Sequence, residues 1–162
     1  METHSLEPIL REHPFFQGLA PAYLELIVGC ASNVKFASKE MVARHNDPAD
    51  KFYIIRSGKM ALEVDVPERG QFIIQTLGDG DVLGWSWLFP PYTWNFDMRC
   101  IEATRAIAMD AKCLRKKCDE DHDMGYEMMK RFSAIMLERL KATRLQIVDL
   151  YGTTGPAAPA GR

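Results

Sequence analysis

Between Asn33 and Asp110 the chain repeats one pattern: a short run rich in Val, Ile, Phe and Tyr, then a turn. The runs "NVKFAS", "MVARH", "KFYIIRSG", "MALEVDV", "QFIIQTL" and "TRAIAMD" read as strands. The turns between them have a chemical basis. Asn46-Asp47-Pro48, Gly58 and Gly78 to Gly80 supply residues that tolerate left-handed or fixed backbone angles, and "PERGQ" at 67–71 reads as a solvated hairpin tip. Short strands separated in this way predict an antiparallel barrel or sandwich.

Helical patterns flank this region. Leu6, Ile9 and Leu10 make a helical step before Pro14, and "PAYLELIVGCA" places Pro21 at a first helical position with Leu24, Ile27 and Cys30 on one face. After Asp110, "KCLRKKCDEDHDMG" joins a basic cluster, 115–117, to an acidic one, 119–123, and reads as a solvated helix end and loop. A single long helix is predicted from Tyr126 to Tyr151. Met129, Phe132, Met136, Leu140, Thr143, Ile147 and Leu150 step by three or four, the spacing that keeps a seam facing a partner helix. Met128, Ile135, Leu137, Leu145 and Val148 form a second row. Two apolar rows on a helix about 38 Å long exceed what a small barrel covers, which predicts a homodimer through Phe132, Met136, Leu140, Thr143, Ile147 and Leu150. Residues 152–162, rich in Gly, Pro and Ala, are expected to be a disordered tail.

Composition removes several function classes. A formal net charge of -2 provides no basic field for nucleic acid. Four cysteines without a CxxC pair, behind an N-terminus that shows no secretory leader, lead to the expectation of reduced thiols in the cytoplasm. The four histidines are dispersed, so no metal site is expected, and nothing selects His45 or Cys100 for haem or groups the thiols for an iron–sulfur cluster. Asp79, Asp81 and Asp97 read as turn acceptors and Ser86 has no histidine near it in sequence, so no enzymatic activity is expected.

All three tryptophans fall in one stretch, "LGWSWLFPPYTWNFD" at 83–97. A membrane span is excluded there, because Pro90-Pro91 interrupts it and it falls short of the roughly 20 apolar residues required. A core, a partner surface or a ligand pocket remains.

The element order resembles the cyclic nucleotide-binding domain of the Crp/Fnr regulators. The resemblance rests on "NDPADKFYIIRSGKMALEV" (46–64), "LGDGDVLG" (77–84), "RCIEATRAIAMD" (99–110) and "LERLKATRLQ" (137–146), and covers about residues 6–151. It implies a mainly β fold with flanking helices: a double-stranded β-helix, jelly-roll-like, forming a β-roll at 32–110, with N-terminal helices at 1–31 and C-terminal helices at 111–151. Residues 83–97 then correspond to the phosphate-binding cassette, in which a short helix faces an anion, a Glu holds ribose, an Arg holds the cyclic phosphate, and a Thr on the dimer helix reaches the base.

Carried over by position, Gly84 matches the cassette glycine and Thr143 the helix threonine. Trp85 stands where the Glu is expected, Ser86 follows it, and the Arg position falls on Trp94 or Asn95. No Lys or Arg occurs from Leu83 to Met98, and the first cation, Arg99, is assigned to the next strand. The candidate ligand-binding residues are therefore Gly84, Trp85, Ser86, Trp94, Asn95, Arg99 and Thr143. Losing guanidinium and carboxylate together lowers affinity by about two to four orders of magnitude. The resemblance implies a non-catalytic regulatory module for a cyclic nucleotide or another nucleotide-like ligand, with altered or weakened specificity. The alternative is a degenerate sensor whose tryptophans fill the former pocket and whose role is dimeric protein interaction. The short stretch after Tyr151 leads to the expectation of no helix-turn-helix and no direct DNA reading, with output to a partner protein.

Overall fold

The computed structural model describes residues 6–152, so the predicted disordered tail lies, from residue 153 on, outside the described residues. Four α-helices are present: α1 (Leu6–Glu12), α2 (Pro21–Val28), α3 (Ala111–Glu120) and α4 (His122–Gly152). The strands are β1 (Ala31–Phe36), β2 (Met41–Ala43), β3 (Lys51–Ser57), β4 (Met60–Val66), β5 (Gly70–Leu77), β6 (Val82–Leu83), β7 (Asp97–Cys100) and β8 (Thr104–Asp110).

Local chemistry sets the element boundaries. Pro21 opens α2. Asp110 caps α3, its carboxylate accepting from the Cys113 N–H at 3.0 Å. The segment expected to be a helix end and loop is thus a ten-residue helix with Ala111 and Leu114 buried. At the tight β3–β4 connection Gly58 has φ 121°, and a Cβ there would lie 2.4 Å from Thr104 Oγ1, so only glycine fits. Asp79 Oδ1 accepts from the Gly58 N–H at 2.9 Å and Asp81 Oδ2 from the Gly78 N–H at 2.8 Å. Asp97 Oδ1 accepts from the His45 N–H at 2.7 Å. These aspartates are turn acceptors, as their sequence context predicts.

The strands pair antiparallel into two four-stranded sheets, ordered β1-β8-β3-β6 and β2-β7-β4-β5. This corrects the expectation of a mainly β, jelly-roll-like β-roll. Neither sheet is closed into a barrel or curled, and helical residues outnumber strand residues; the fold is a mixed α/β arrangement of two sheets and four helices. The strand runs are legible as strands, but alternation of apolar residues does not say which run pairs with which. Three-residue β2 and two-residue β6 stand at sheet edges, where each sheet stops.

The core gathers side chains from both sheets and from the helices. At its centre the Trp87 ring stacks on Phe52 of β3, 5.3 Å between centroids, and both meet Phe132 of α4 edge-on at 5.4 and 5.1 Å. Phe15 adds a further edge contact to Phe132 at 5.0 Å.

A second correction concerns the thiols. Cys30 and Cys113 form a disulfide, while Cys100 and Cys118 are free. The β1–β8 register explains the pairing. Ala31 lies opposite Met109, and the Asp110 N–H donates to Cys30 O at 2.8 Å, so the start of β1 and the first turn of α3 are held together. A cross-link spanning 83 residues of sequence stabilises by about 2–5 kcal/mol through the unfolded chain.

Helix α4 begins four residues earlier than predicted and runs about 46 Å at the usual rise. Its first turns are buried through Met124, Met128 and Phe132, whereas Leu145, Ile147 and Val148 are all exposed. The helix therefore packs into the core of its own domain through its first turns and exposes an apolar face along its later ones. No described helix is long and apolar enough to cross a membrane.

Candidate ligand-binding site

The segment between β6 and β7 sends its three tryptophans into three environments. Trp87 is fully buried in the aromatic core. The segment is anchored there by α3: the Arg115 guanidinium donates to Trp87 O and lies 4.1 Å from the centre of the Tyr92 ring. One member of the basic cluster expected to be solvated is therefore a clamp.

Trp94 is buried and placed by its backbone. Its N–H donates to Asp47 O at 2.9 Å and its carbonyl accepts from the Asn46 N–H at 2.8 Å. The indole descends onto Gly84, which has φ 102°, and a Cβ on Gly84 would lie 2.5 Å from Trp94 Cη2. Gly84 is thus required twice, by its backbone angle and by the ring above it. The space left among Gly84, Trp85, Ser86, Trp94 and Phe96 is about 10 Å³, the lower limit for a single water. Indole closes the counterpart of the cassette.

The short helix of that counterpart is one 3-10 turn, Ser86–Leu88. Ser86 Oγ accepts from Asn95 Nδ2 at 3.3 Å. Arg99, on β7, faces away from this region: the register puts it on the face opposite Leu62 and Met98, where it pairs with Glu63 at 3.5 Å and donates to Lys39 O at 3.2 Å. It lines none of the cavities described below.

Trp85 is half-buried and opens outward. Together with Phe96, Leu62 and Ile74 it forms one wall of a groove of about 490 Å³, within the range of small-molecule sites. The other wall is α4, through Met136, Arg139, Leu140, Thr143 and Gln146. Gln146 Nε2 donates to Ile74 O at 3.0 Å and bridges the far end. Of the seven residues singled out from sequence, Trp85 and Thr143 share this groove; Gly84, Ser86 and Trp94 line the closed space; Asn95 serves Ser86. Thr143 Oγ1 donates to Arg139 O at 2.9 Å.

The residue that sequence reasoning missed is Arg139. Its guanidinium donates to Val82 O and its Cζ lies 4.7 Å from the Trp85 ring centre. Burial lowers its pKa to about 10, the Asp81 carboxylate offsetting part of the effect, so it remains a cation at neutral pH. A signal for it existed: Arg139 precedes Thr143 by four residues, so helical spacing puts both on one face. Among the described residues no cluster of three His, Cys, Asp or Glu side chains is arranged to hold a metal ion.

Comparison with known proteins fits this geometry. The cyclic nucleotide-binding domain family matches residues 33–121, and the chain belongs to that family. Crp/Fnr-like domains of this family are non-catalytic regulatory modules, and the relatives that this chain resembles include regulators of that kind. It is 24% identical over 155 residues to the CRP-like cAMP-activated global transcriptional regulator of Mycobacterium tuberculosis, spanning 96% of this chain and 67% of that protein. The fold is similar to a cyclic nucleotide-binding domain from Methylobacillus flagellatus, with TM-score 0.73, 13% identity, 98% of this chain and 86% of that one. It is also similar to the sensor domain of the transcriptional regulator DNR from Pseudomonas aeruginosa, with TM-score 0.69, 16% identity, 87% of this chain and 95% of that one.

Replacement of Trp94 by Ala tests the plugged pocket. Removing a buried indole is expected to cost about 3–5 kcal/mol in urea denaturation. A loss below about 1 kcal/mol would mean that the ring is not packed on Gly84.

Proposed function

We propose that this chain is a ligand-sensing regulatory module whose ligand sits in the groove between Trp85 and α4 rather than in the cassette position. The observation that carries this reading is the contrast in volume: about 10 Å³ at Gly84 and about 490 Å³ beside Thr143. A ligand there touches α4 directly at Leu140 and Thr143 and competes for Arg139, which links α4 to Val82 and Trp85. Occupancy therefore alters how firmly the helix is held. Cyclic AMP, which the Mycobacterium tuberculosis relative is named for, would lack space at Gly84 and a cation on the cassette itself; the cation bordering that space is Arg139 of α4.

The exposed half of α4 supports a homodimer formed through Leu140, Thr143, Ile147 and Leu150. Phe132 belongs to the domain's own core, so the seam starts beyond it. Output then passes from the paired helices to a partner protein. The interaction-module reading keeps one observation in its favour, the Trp94 plug, and differs by assigning no ligand to the groove. As for compartment, the Cys30–Cys113 disulfide is chemistry of an oxidising environment and removes reduced thiols as the ground for a cytoplasmic location.

Calorimetric titration with cyclic AMP tests the changed specificity: binding no tighter than about 100 μM is expected, and a Kd near or below about 1 μM contradicts it. Light scattering after size-exclusion chromatography tests the dimer, with Ile147→Lys expected to shift the mass from two chains to one. An unchanged mass would remove the dimer seam from α4.

A further inference from the structure

The groove beside α4 has an unusual balance of side chains. Six of its ten lining residues are apolar, three are Gln or Thr, and the one charged residue is Arg139; no Asp or Glu borders it. Arg139 offers five N–H donors, and among the described residues its guanidinium donates to a backbone carbonyl, Val82 O. No carboxylate lies within ion-pair distance of it among the described residues. On its other side is a second depression of about 480 Å³, where Asp81 and Glu138 stand with Arg131 and Arg139, so its formal charges balance without a bound anion.

We propose that the groove takes a small aromatic carboxylate or sulfonate, its anion at Arg139 and its ring against Trp85 and Phe96. This rests on the groove being the ligand site, and adds the ligand's class. The chemistry selects each feature. One cation matches one negative charge, whereas a polyphosphate would leave further charges unpaired among Leu62, Ile74 and Met136. Two aromatic side chains on one wall favour a planar ring. No carboxylate is present to receive ribose hydroxyls by charge-assisted hydrogen bonds. Burial holds the Arg139 pKa to about 10, so a bound anion restores charge balance to a desolvated guanidinium.

The test uses 1-anilinonaphthalene-8-sulfonate as fluorescent probe, displaced by 2-naphthoate, by its uncharged counterpart 2-naphthamide, and by cyclic AMP. In the wild-type protein, naphthoate is expected to displace the probe at a concentration at least about tenfold lower than naphthamide or cyclic AMP. In Arg139→Gln the advantage disappears. Because that variant also loses the link to Val82, the wild-type comparison of acid with amide stands by itself: equal displacement overturns the anion assignment while leaving the groove reading intact. Cyclic AMP displacing as well as naphthoate overturns the aromatic-acid class. Ile74→Trp, on the β5 wall of the groove and away from the proposed dimer seam, is expected to block the probe. Probe binding unchanged in that variant overturns the groove reading, and with it this assignment.

Discussion

The contact among Phe52, Trp87 and Phe132 holds the rest of the arrangement in place. It joins one sheet, the aromatic segment and the base of α4 at a single buried point. With Trp87 fixed, residues two before and seven after it have little freedom: Trp85 emerges beneath α4, and Trp94, paired to the Asn46–Asp47 turn, comes down on Gly84. The cluster has a cost, since Trp87 Nε1 is buried with no hydrogen-bond partner among the described residues, a penalty of about 1–3 kcal/mol. Packing of three large rings offsets it.

This arrangement changes what a cyclic nucleotide-binding fold can do with its ligand. In the closed space, Trp94 occupies the volume above the glycine and Trp85 stands where a carboxylate would hold ribose. The cation is supplied instead from α4, by Arg139, about one turn from Thr143. On the proposed reading, a charge on the helix rather than in the cassette ties recognition to the element proposed to carry the signal. In the proposed mode, a ligand that draws Arg139 away from Val82 O removes one hydrogen bond between α4 and the sheets, while that of Gln146 to Ile74 O remains.

How much of this was legible in the sequence depends on the range of the interaction. Turns were readable because their chemistry is local: Asn46 adopts φ 72°, Gly58 φ 121°, and Asp79 and Asp81 accept backbone hydrogen bonds as their context predicted. The six strand runs were readable for the same reason. Sheet pairing was not, because period-two alternation carries no partner information, and the expected β-roll gave way to two open sheets. The Cys30–Cys113 bond was hidden until the β1–β8 register brought its ends together. Arg139 is not legible from the cassette pattern, because it reaches the site from a helix whose sequence period shows only its apolar seams.

The central claim, that the ligand site lies outside a plugged cassette, is tested most directly through the three indole N–H resonances, one for each tryptophan, assigned by single Trp→Phe variants. Titration with an aromatic sulfonate is expected to shift the Trp85 resonance and leave those of Trp87 and Trp94 in place. A Trp94 resonance that moves with the titration, while that of Trp85 stays fixed, would show the ligand displacing the indole from Gly84 and would contradict the account.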